Sequence, residues 1–266
     1  MRVIVLSENR KKNQCNNEEG LSLYVEVNNN KLLLDTGITD LFIENSEILN
    51  IDLSKIEIIV LSHGHWDHGN GLKYLNGDNK TVILHPNSFA DRYSIRRNEE
   101  YAGINLKLEE MSQKYNVIQT KTSYKIFENI WFLGEIERKN DFEAKKFPTI
   151  LAESKIDYIE DDSGIVIKTD NGIIVISGCS HSGICNTIEQ AKKIANENRI
   201  CAVMGGFHLK EVDEMTQETI KYFANNNVAS AYMGHCTSDE VINEFKKQLE
   251  GKCKVEILYS GAEFEL

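Results

Sequence analysis

The stretch Ile56-Glu57-Ile58-Ile59-Val60-Leu61-Ser62-His63-Gly64-His65-Trp66-Asp67-His68-Gly69 decides how the rest of the chain is read. Residues 56–61 form the apolar, β-branched run of a buried strand, and the run stops abruptly at Ser62. His63, His65, Asp67 and His68 therefore fall in a loop at the C-terminal end of a strand. Imidazole nitrogen and carboxylate oxygen are donors that zinc and similar borderline cations accept, and four of them within six residues can bind metal with little reorganisation. The spacing lets His63 and His65 converge on one ion while Asp67 and His68 turn toward a second. Gly64, Gly69 and Gly71 permit the sharp backbone path this requires. Three of the seven histidines in the chain lie inside these six residues, which sets aside a surface turn that merely happens to be rich in histidine.

Outward from this loop the pattern is one of alternating strands and helices. Residues 2–6 are short, apolar and β-branched, and 21–27 with 31–34 suggest a hairpin across Asn28-Asn29-Asn30. A short helix over 71–75 and a strand over 81–84 follow the metal loop. Residues 86–147 carry mixed charge and weak periodicity and are expected to form an inserted lid or pocket wall. Strands at 164–169 and 173–177 are joined by Asp170-Asn171-Gly172, a strong hairpin signal. A helix over 184–196, a strand over 200–204, a helix over 214–225 and a strand over 228–233 complete the series. This alternation predicts an α/β layered fold, taken as one domain over residues 1–266. His181, His208 and His235 each follow an apolar β run, so other strand ends can supply further ligands.

The composition is that of a globular protein: 266 residues, 41% hydrophobic and 27% charged. A net charge of −11 disfavours nucleic acid as a partner, although bound cations can still draw a small anionic substrate into an acidic protein. The N-terminal apolar run is too short for a signal peptide or a membrane span, so a cytoplasmic protein without membrane attachment is expected. A small-molecule substrate is the expected partner, with a homodimer left open. Cys15, Cys179, Cys185, Cys201, Cys236 and Cys253 lack the regular spacing of a disulfide framework and are read mostly as reduced thiols.

Leu61-Ser62-His63-Gly64-His65-Trp66-Asp67-His68 resembles the HxHxDH signature of the metallo-β-lactamase superfamily, and Leu33-Leu34-Asp35-Thr36-Gly37 resembles its first motif, an aspartate that supports the metal loop. Ser177-Gly178-Cys179-Ser180-His181-Ser182-Gly183-Ile184, Gly205-Gly206-Phe207-His208-Leu209, Gly234-His235-Cys236-Thr237 and Gly134-Glu135-Ile136-Glu137-Arg138 are similar to a narrower branch, the dihydropterin-6-methyl ribofuranosylaminobenzene phosphate synthase-like group. The resemblance implies a four-layer αββα sandwich with metal at one edge. It implies two divalent cations, zinc foremost, with iron or manganese as alternatives. It places His235 as the last histidine ligand and Cys179 where many members have a bridging aspartate. Cys179 is then either a bridging thiolate or a small buried apolar residue. His181 is chosen as the third ligand of the first metal, with the acids of Glu160-Asp161-Asp162 as competitors.

Two adjacent cations would activate a water and polarise a carbonyl or phosphoryl oxygen, so the leading expectation is a hydrolase of a small ester, lactone or phosphodiester. Asp67 and His208 are its candidate catalytic groups, His208 as a proton carrier facing the substrate. Among the cations of the insertion (Arg92, Arg96, Arg97 and Arg138), Arg138 and Arg92 are the candidate phosphate binders. His85 is expected at the rim and Trp66 beneath the loop. The alternatives are a transferase joining a pterin phosphate to a phosphorylated aminobenzene riboside, and a metal or redox protein without hydrolytic activity.

Overall fold

Apolar residues concentrate in short strands whose successive side chains are all buried, as in Val3-Ile4-Val5-Leu6 and Ile174-Val175-Ile176, so both faces of the sheets that hold them are covered. A computed structural model of the protein describes residues 1–12, 14–143, 149–151 and 155–266, apart from the side chains of Arg96 and Ile150. The chain divides into two compact units: residues 1–121, 147–161 and 259–266 form the first, and 122–146 with 162–258 the second.

The first unit contains a seven-stranded sheet in the order Glu263–Glu265, Arg2–Ser7, Ser22–Val27, Asn30–Leu34, Ile58–Val60, Thr81–Leu84, Asn116–Gln119. Its first four strands pair antiparallel, and from Asn30–Leu34 onward the pairing is parallel, with Leu34 opposite Val60 and Val60 opposite Ile83. Parallel pairing brings the C-terminal ends of Asn30–Leu34 and Ile58–Val60 to the same edge, which places Asp35 beside the histidine loop. The helices Leu41–Ile48 and Leu108–Lys114 set Phe42 and Met111 into a core with Ile4, Leu6, Leu33, Ile59 and Val82. Full burial of each such side chain contributes about 1.5–3 kcal/mol. A four-stranded antiparallel sheet, ordered Ile156–Asp157, Thr149–Leu151, Arg92–Ser94, Glu100–Tyr101, completes this unit.

The second unit is built on another seven-stranded sheet, in the order Lys254–Ile257, Ser230–Met233, Ile200–Gly205, Gly172–Ser177, Gly164–Thr169, Ile130–Phe132, Tyr124–Phe127. Its first four strands are mutually parallel, joined by the crossover helices Ile184–Ala195, Glu214–Asn225 and Asp239–Gln248. Asp213 and Ser238 cap two of these helices by accepting the backbone N–H of Thr216 and Val241. The aromatic rings of Phe207, Phe223 and Phe245 pack against one another, the closest pair with centroids 5.4 Å apart. No helix among the described residues is long and apolar enough to cross a membrane.

The structure departs from the sequence reading in three places. Residues 86–147, expected as an insertion, supply Asn116–Gln119 to the first unit's sheet and Tyr124–Phe127 with Ile130–Phe132 to the second unit's; residues 144–147 lie outside the described residues. The helix expected over 71–75 is a 3₁₀ turn, Asn70–Lys73, preceded by the single helical turn Trp66–Gly69. The helices Leu41–Ile48, Leu108–Lys114 and Asp239–Gln248 were not anticipated.

Candidate metal centre

Asp35 organises the histidine loop from the end of the neighbouring strand. Its backbone is left-handed, with φ of 60°, and its carboxylate is fully buried. Oδ1 accepts the Ser62 backbone N–H at 2.7 Å, and Oδ2 accepts the Ser62 hydroxyl at 2.7 Å and lies 2.7 Å from His68 Nδ1. Donation of the Nδ1 proton to this carboxylate sets the tautomer of His68 and leaves the Nε2 lone pair available to a metal. The same logic applies to His63. Ser62 has given its proton to Asp35, so its oxygen, 2.9 Å from His63 Nδ1, accepts from that nitrogen and leaves Nε2 as the lone-pair atom. His63 Nε2 in turn lies 2.9 Å from His65 Nδ1, and Asp67 Oδ2 lies 3.8 Å from His68 Nε2. Two zinc–nitrogen bonds at a tetrahedral angle put their nitrogens about 3.3 Å apart, so these donor separations fit a borderline divalent cation. Burial, and then the charge of Arg92, pushes the His65 pKa down to about 3, which keeps the ring neutral as a metal ligand must be.

A second brace holds the middle of the loop. The Gly64 N–H, between the first two histidines, donates to Asp161 Oδ2 at 2.6 Å, and Asp161 Oδ1 accepts from Arg92 Nη1 at 2.9 Å. Arg92 is 1% exposed; its Nε pairs with Asp157 Oδ2 at 3.2 Å and its Nη2 donates to the Asn87 carbonyl at 3.0 Å. Only glycine fits at position 64, because a Cβ there would run into the Ser88 backbone carbonyl.

In the second unit the expected groups cluster at the ends of its parallel strands. Cys179 and His181 follow Gly172–Ser177, His208 follows Ile200–Gly205, and His235 and Cys236 follow Ser230–Met233. The rings of His181 and His208 lie 4.4 Å apart between centroids. The donor atoms of Cys179, His208 and Cys236 all lie within 4.8 Å of one another. Ser180, His208 and His235 have φ of 54°, 50° and 50°, a left-handed conformation that costs of order 1–3 kcal/mol per residue and concentrates at functional sites. Burial opposes ionisation of Cys236, but Cys179 and His208 outweigh it and hold the thiol well below its ordinary range. Asp162 accepts the Ser182 N–H at 2.8 Å through Oδ2, its Oδ1 is buried with no hydrogen-bond partner among the described residues, and burial pushes its pKa up to about 6. Arg138 donates from Nη2 to Ser182 Oγ at 3.0 Å.

The model of the metallo-β-lactamase superfamily matches residues 17–192, a span that includes the histidine loop, Cys179 and His181. The chain belongs to the metallo-β-lactamase superfamily. A curated superfamily relative, the 7,8-dihydropterin-6-methyl-4-(β-D-ribofuranosyl)-aminobenzene-5'-phosphate synthase of Methanocaldococcus jannaschii, is 33% identical over 252 residues, covering 88% of this chain and 85% of its own. The crystal structure of Tm1679, described as a metal-dependent hydrolase of the β-lactamase superfamily, superposes with a TM-score of 0.87 at 32% identity, covering 100% of this chain and 99% of that one. A diphosphatase of the PhnP family shares the fold at 14% identity and a TM-score of 0.57. The α/β, metallo-β-lactamase-type fold implied by the HxHxDH resemblance is therefore the observed one, and the chain stands in a superfamily of enzymes.

With the superfamily established, several expectations change. Hydrolysis as the leading reading is corrected by the synthase relative, which matches nearly the whole chain under the name of a bond-forming enzyme. Arg92, a candidate phosphate binder in the sequence, is buried, and its guanidinium is taken up by two carboxylates and a carbonyl. Asp161 is likewise occupied in bracing Gly64, whereas Asp162 Oδ1 has no hydrogen-bond partner among the described residues. His85 is fully buried and accepts the Asn87 N–H through Nδ1, so it caps a turn instead of shaping a rim. Arg97 stacks over Trp66 at 5.4 Å and pairs with Glu19; the side chain of Arg96 lies outside the described residues. The Arg92 brace was missed because its partners stand 65 and 69 residues away and no local pattern joins them.

Proposed function

We propose that this enzyme is a metal-dependent transferase that joins the 6-methylene carbon of a dihydropterin phosphate ester to the amine of a phosphorylated aminobenzene riboside. The observation that carries this reading is the 33% identity over 252 residues to the synthase named for that product. In the proposed reaction the amine nitrogen bonds to the methylene carbon, the carbon–oxygen bond to phosphate breaks with its electron pair leaving on oxygen, and the amine gives up a proton. In the first unit, His63, His65, Asp67 and His68 are assigned to divalent cations, and in the second, Cys179, His181 and His235. Two ions are proposed, zinc foremost, with iron or manganese as alternatives. When bound, such cations would neutralise the charge that collects on the departing phosphate oxygens. Asp67, partly exposed beside His68, is assigned the proton released by the amine. Arg138, half-buried, is assigned to a substrate phosphate. Small anionic substrates also suit a chain of net charge −11 better than a nucleic acid does.

The test is to incubate the purified protein with a dihydropterin carrying a phosphate ester on its 6-methyl carbon and with 4-(β-D-ribofuranosyl)aminobenzene 5'-phosphate. A product of the summed mass less the phosphate leaving group, formed only when both substrates and metal are present, supports the reading. Release of phosphate at the same rate without the amine would sink it. Asp35→Asn tests the support of the loop: loss of the carboxylate that orients His68 should weaken metal binding by about 10–100-fold, measured by competition with a chromophoric chelator.

A further inference from the structure

Three neighbouring parallel strands of the second unit, Gly172–Ser177, Ile200–Gly205 and Ser230–Met233, run out at one edge of their sheet in matched register, with Ile176 opposite Met204 and Gly205 opposite Met233. Each delivers one soft or borderline donor just beyond its end: Cys179, His208 and Cys236. The three loops are laced together by backbone and hydroxyl bonds. The Gly206 N–H donates to Gly178 O at 2.8 Å, the Gly234 N–H to Gly205 O at 3.2 Å, the Phe207 N–H to Thr237 Oγ1 at 2.9 Å, and Ser180 Oγ to Gly206 O at 2.7 Å. Cys236 Sγ also reaches the Cys179 carbonyl at 3.6 Å. Space for the second sulfur depends on a glycine, because a Cβ at Gly206 would stand 2.6 Å from Cys236 Sγ.

We infer that Cys179, His208 and Cys236 form a thiolate-rich site for a thiophilic divalent cation, with zinc as the natural occupant and a fourth coordination position open. Two sulfurs and one imidazole are a donor set that zinc accepts in tetrahedral geometry, where ligand atoms stand about 3.5–3.8 Å apart. Donor atoms already within 4.8 Å of one another need only side-chain adjustment to meet that spacing. This assignment gives Cys236 a function and makes His208 a ligand, where the sequence pointed to a proton carrier. It uses Cys179 as the transferase reading does, but Cys236 and His208 belong to this site alone, so the two readings fail separately.

Cadmium is the probe, because its bonds to thiolate absorb in the ultraviolet and its bonds to imidazole and carboxylate do not. Chelator-stripped, fully reduced protein titrated with cadmium should develop a sulfur charge-transfer band that Cys236→Ser cuts to about half, while Cys201→Ser leaves it unchanged. His208→Ala should bind cadmium more weakly and shift the titration to higher concentration. In the unsubstituted protein, alkylation of Cys236 followed by peptide mass spectrometry should slow about tenfold at cadmium near ten times its dissociation constant, a readout that does not depend on any variant folding. A band of full amplitude in folded Cys236→Ser, or alkylation of Cys236 at the same rate with and without cadmium, would overturn the site. Because neither readout involves the coupling reaction, a negative result here leaves the transferase assay to stand or fall by itself.

Discussion

Arg92→Ala is expected to destabilise the protein by about 3–5 kcal/mol, the cost of removing one partner from a buried ion-pair network and leaving the others charged. Asp157 and Asp161 would both lose their cation, and Asp161 is the residue that holds the Gly64 N–H between His63 and His65. The urea midpoint should fall accordingly, and metal content should fall with it as the loop loosens. Arg92→Lys should recover only part of the loss, because an ammonium cannot reach two carboxylates and the Asn87 carbonyl at fixed angles. Adding Asp161→Asn to Arg92→Ala should also recover part of it by removing one orphaned charge. A change below about 1 kcal/mol, the range of solvated surface pairs, would show that the network is not closed to water.

Replacing His63 or His65 with alanine should remove most of the bound metal and depress coupling beyond the roughly 100-fold limit expected of a supporting residue such as Asp35. Stability should change much less. Asp35 holds the Ser62 backbone N–H and hydroxyl and Asp161 holds the Gly64 N–H, so at these braces His63→Ala gives up only its bond to Ser62 Oγ and His65→Ala gives up neither brace. Metal analysis, a coupling assay and a urea titration on the same preparations separate the two effects. Chelator treatment of the unsubstituted protein should reproduce the metal-free behaviour and be reversed by adding zinc. Metal content equal to that of the unsubstituted protein in both variants would remove these histidines from the ligand set.

The parts of the site that were legible in the sequence are those whose chemistry is concentrated locally. Four candidate donors in six residues after a buried strand can be read from composition and spacing alone, as can the place of His208 and His235 just past apolar runs, but not the left-handed backbone at either. The opaque parts are long-range or weakly patterned. Leu41–Ile48 buries Asn45 and Ser46 along with Leu41 and Phe42, so no clean apolar stripe marks it as a helix. Asn116–Gln119 and Ile130–Phe132 are only four and three residues long, and their strand character comes from pairing with distant neighbours. Hydrolysis was inferred from what a metal pair most often does, and a motif such as His63-Gly64-His65-Trp66-Asp67-His68 serves transfer to water and transfer to an amine alike.

The path of the chain through its two units also sets an order of events during synthesis. The first unit is assembled from three separate segments, and the edge strand Glu263–Glu265 that covers Arg2–Ser7 is made only after the whole of the second unit. Until that strand emerges from the ribosome, Arg2–Ser7 presents an unpaired, apolar edge to the surroundings, the kind of edge that recruits other chains. The second unit, most of it contiguous over residues 162–258, has its parallel core complete earlier. Closure of the first sheet is therefore a late and non-local event, which favours slow folding and leaves this nascent edge open to pairing with other chains in the meantime.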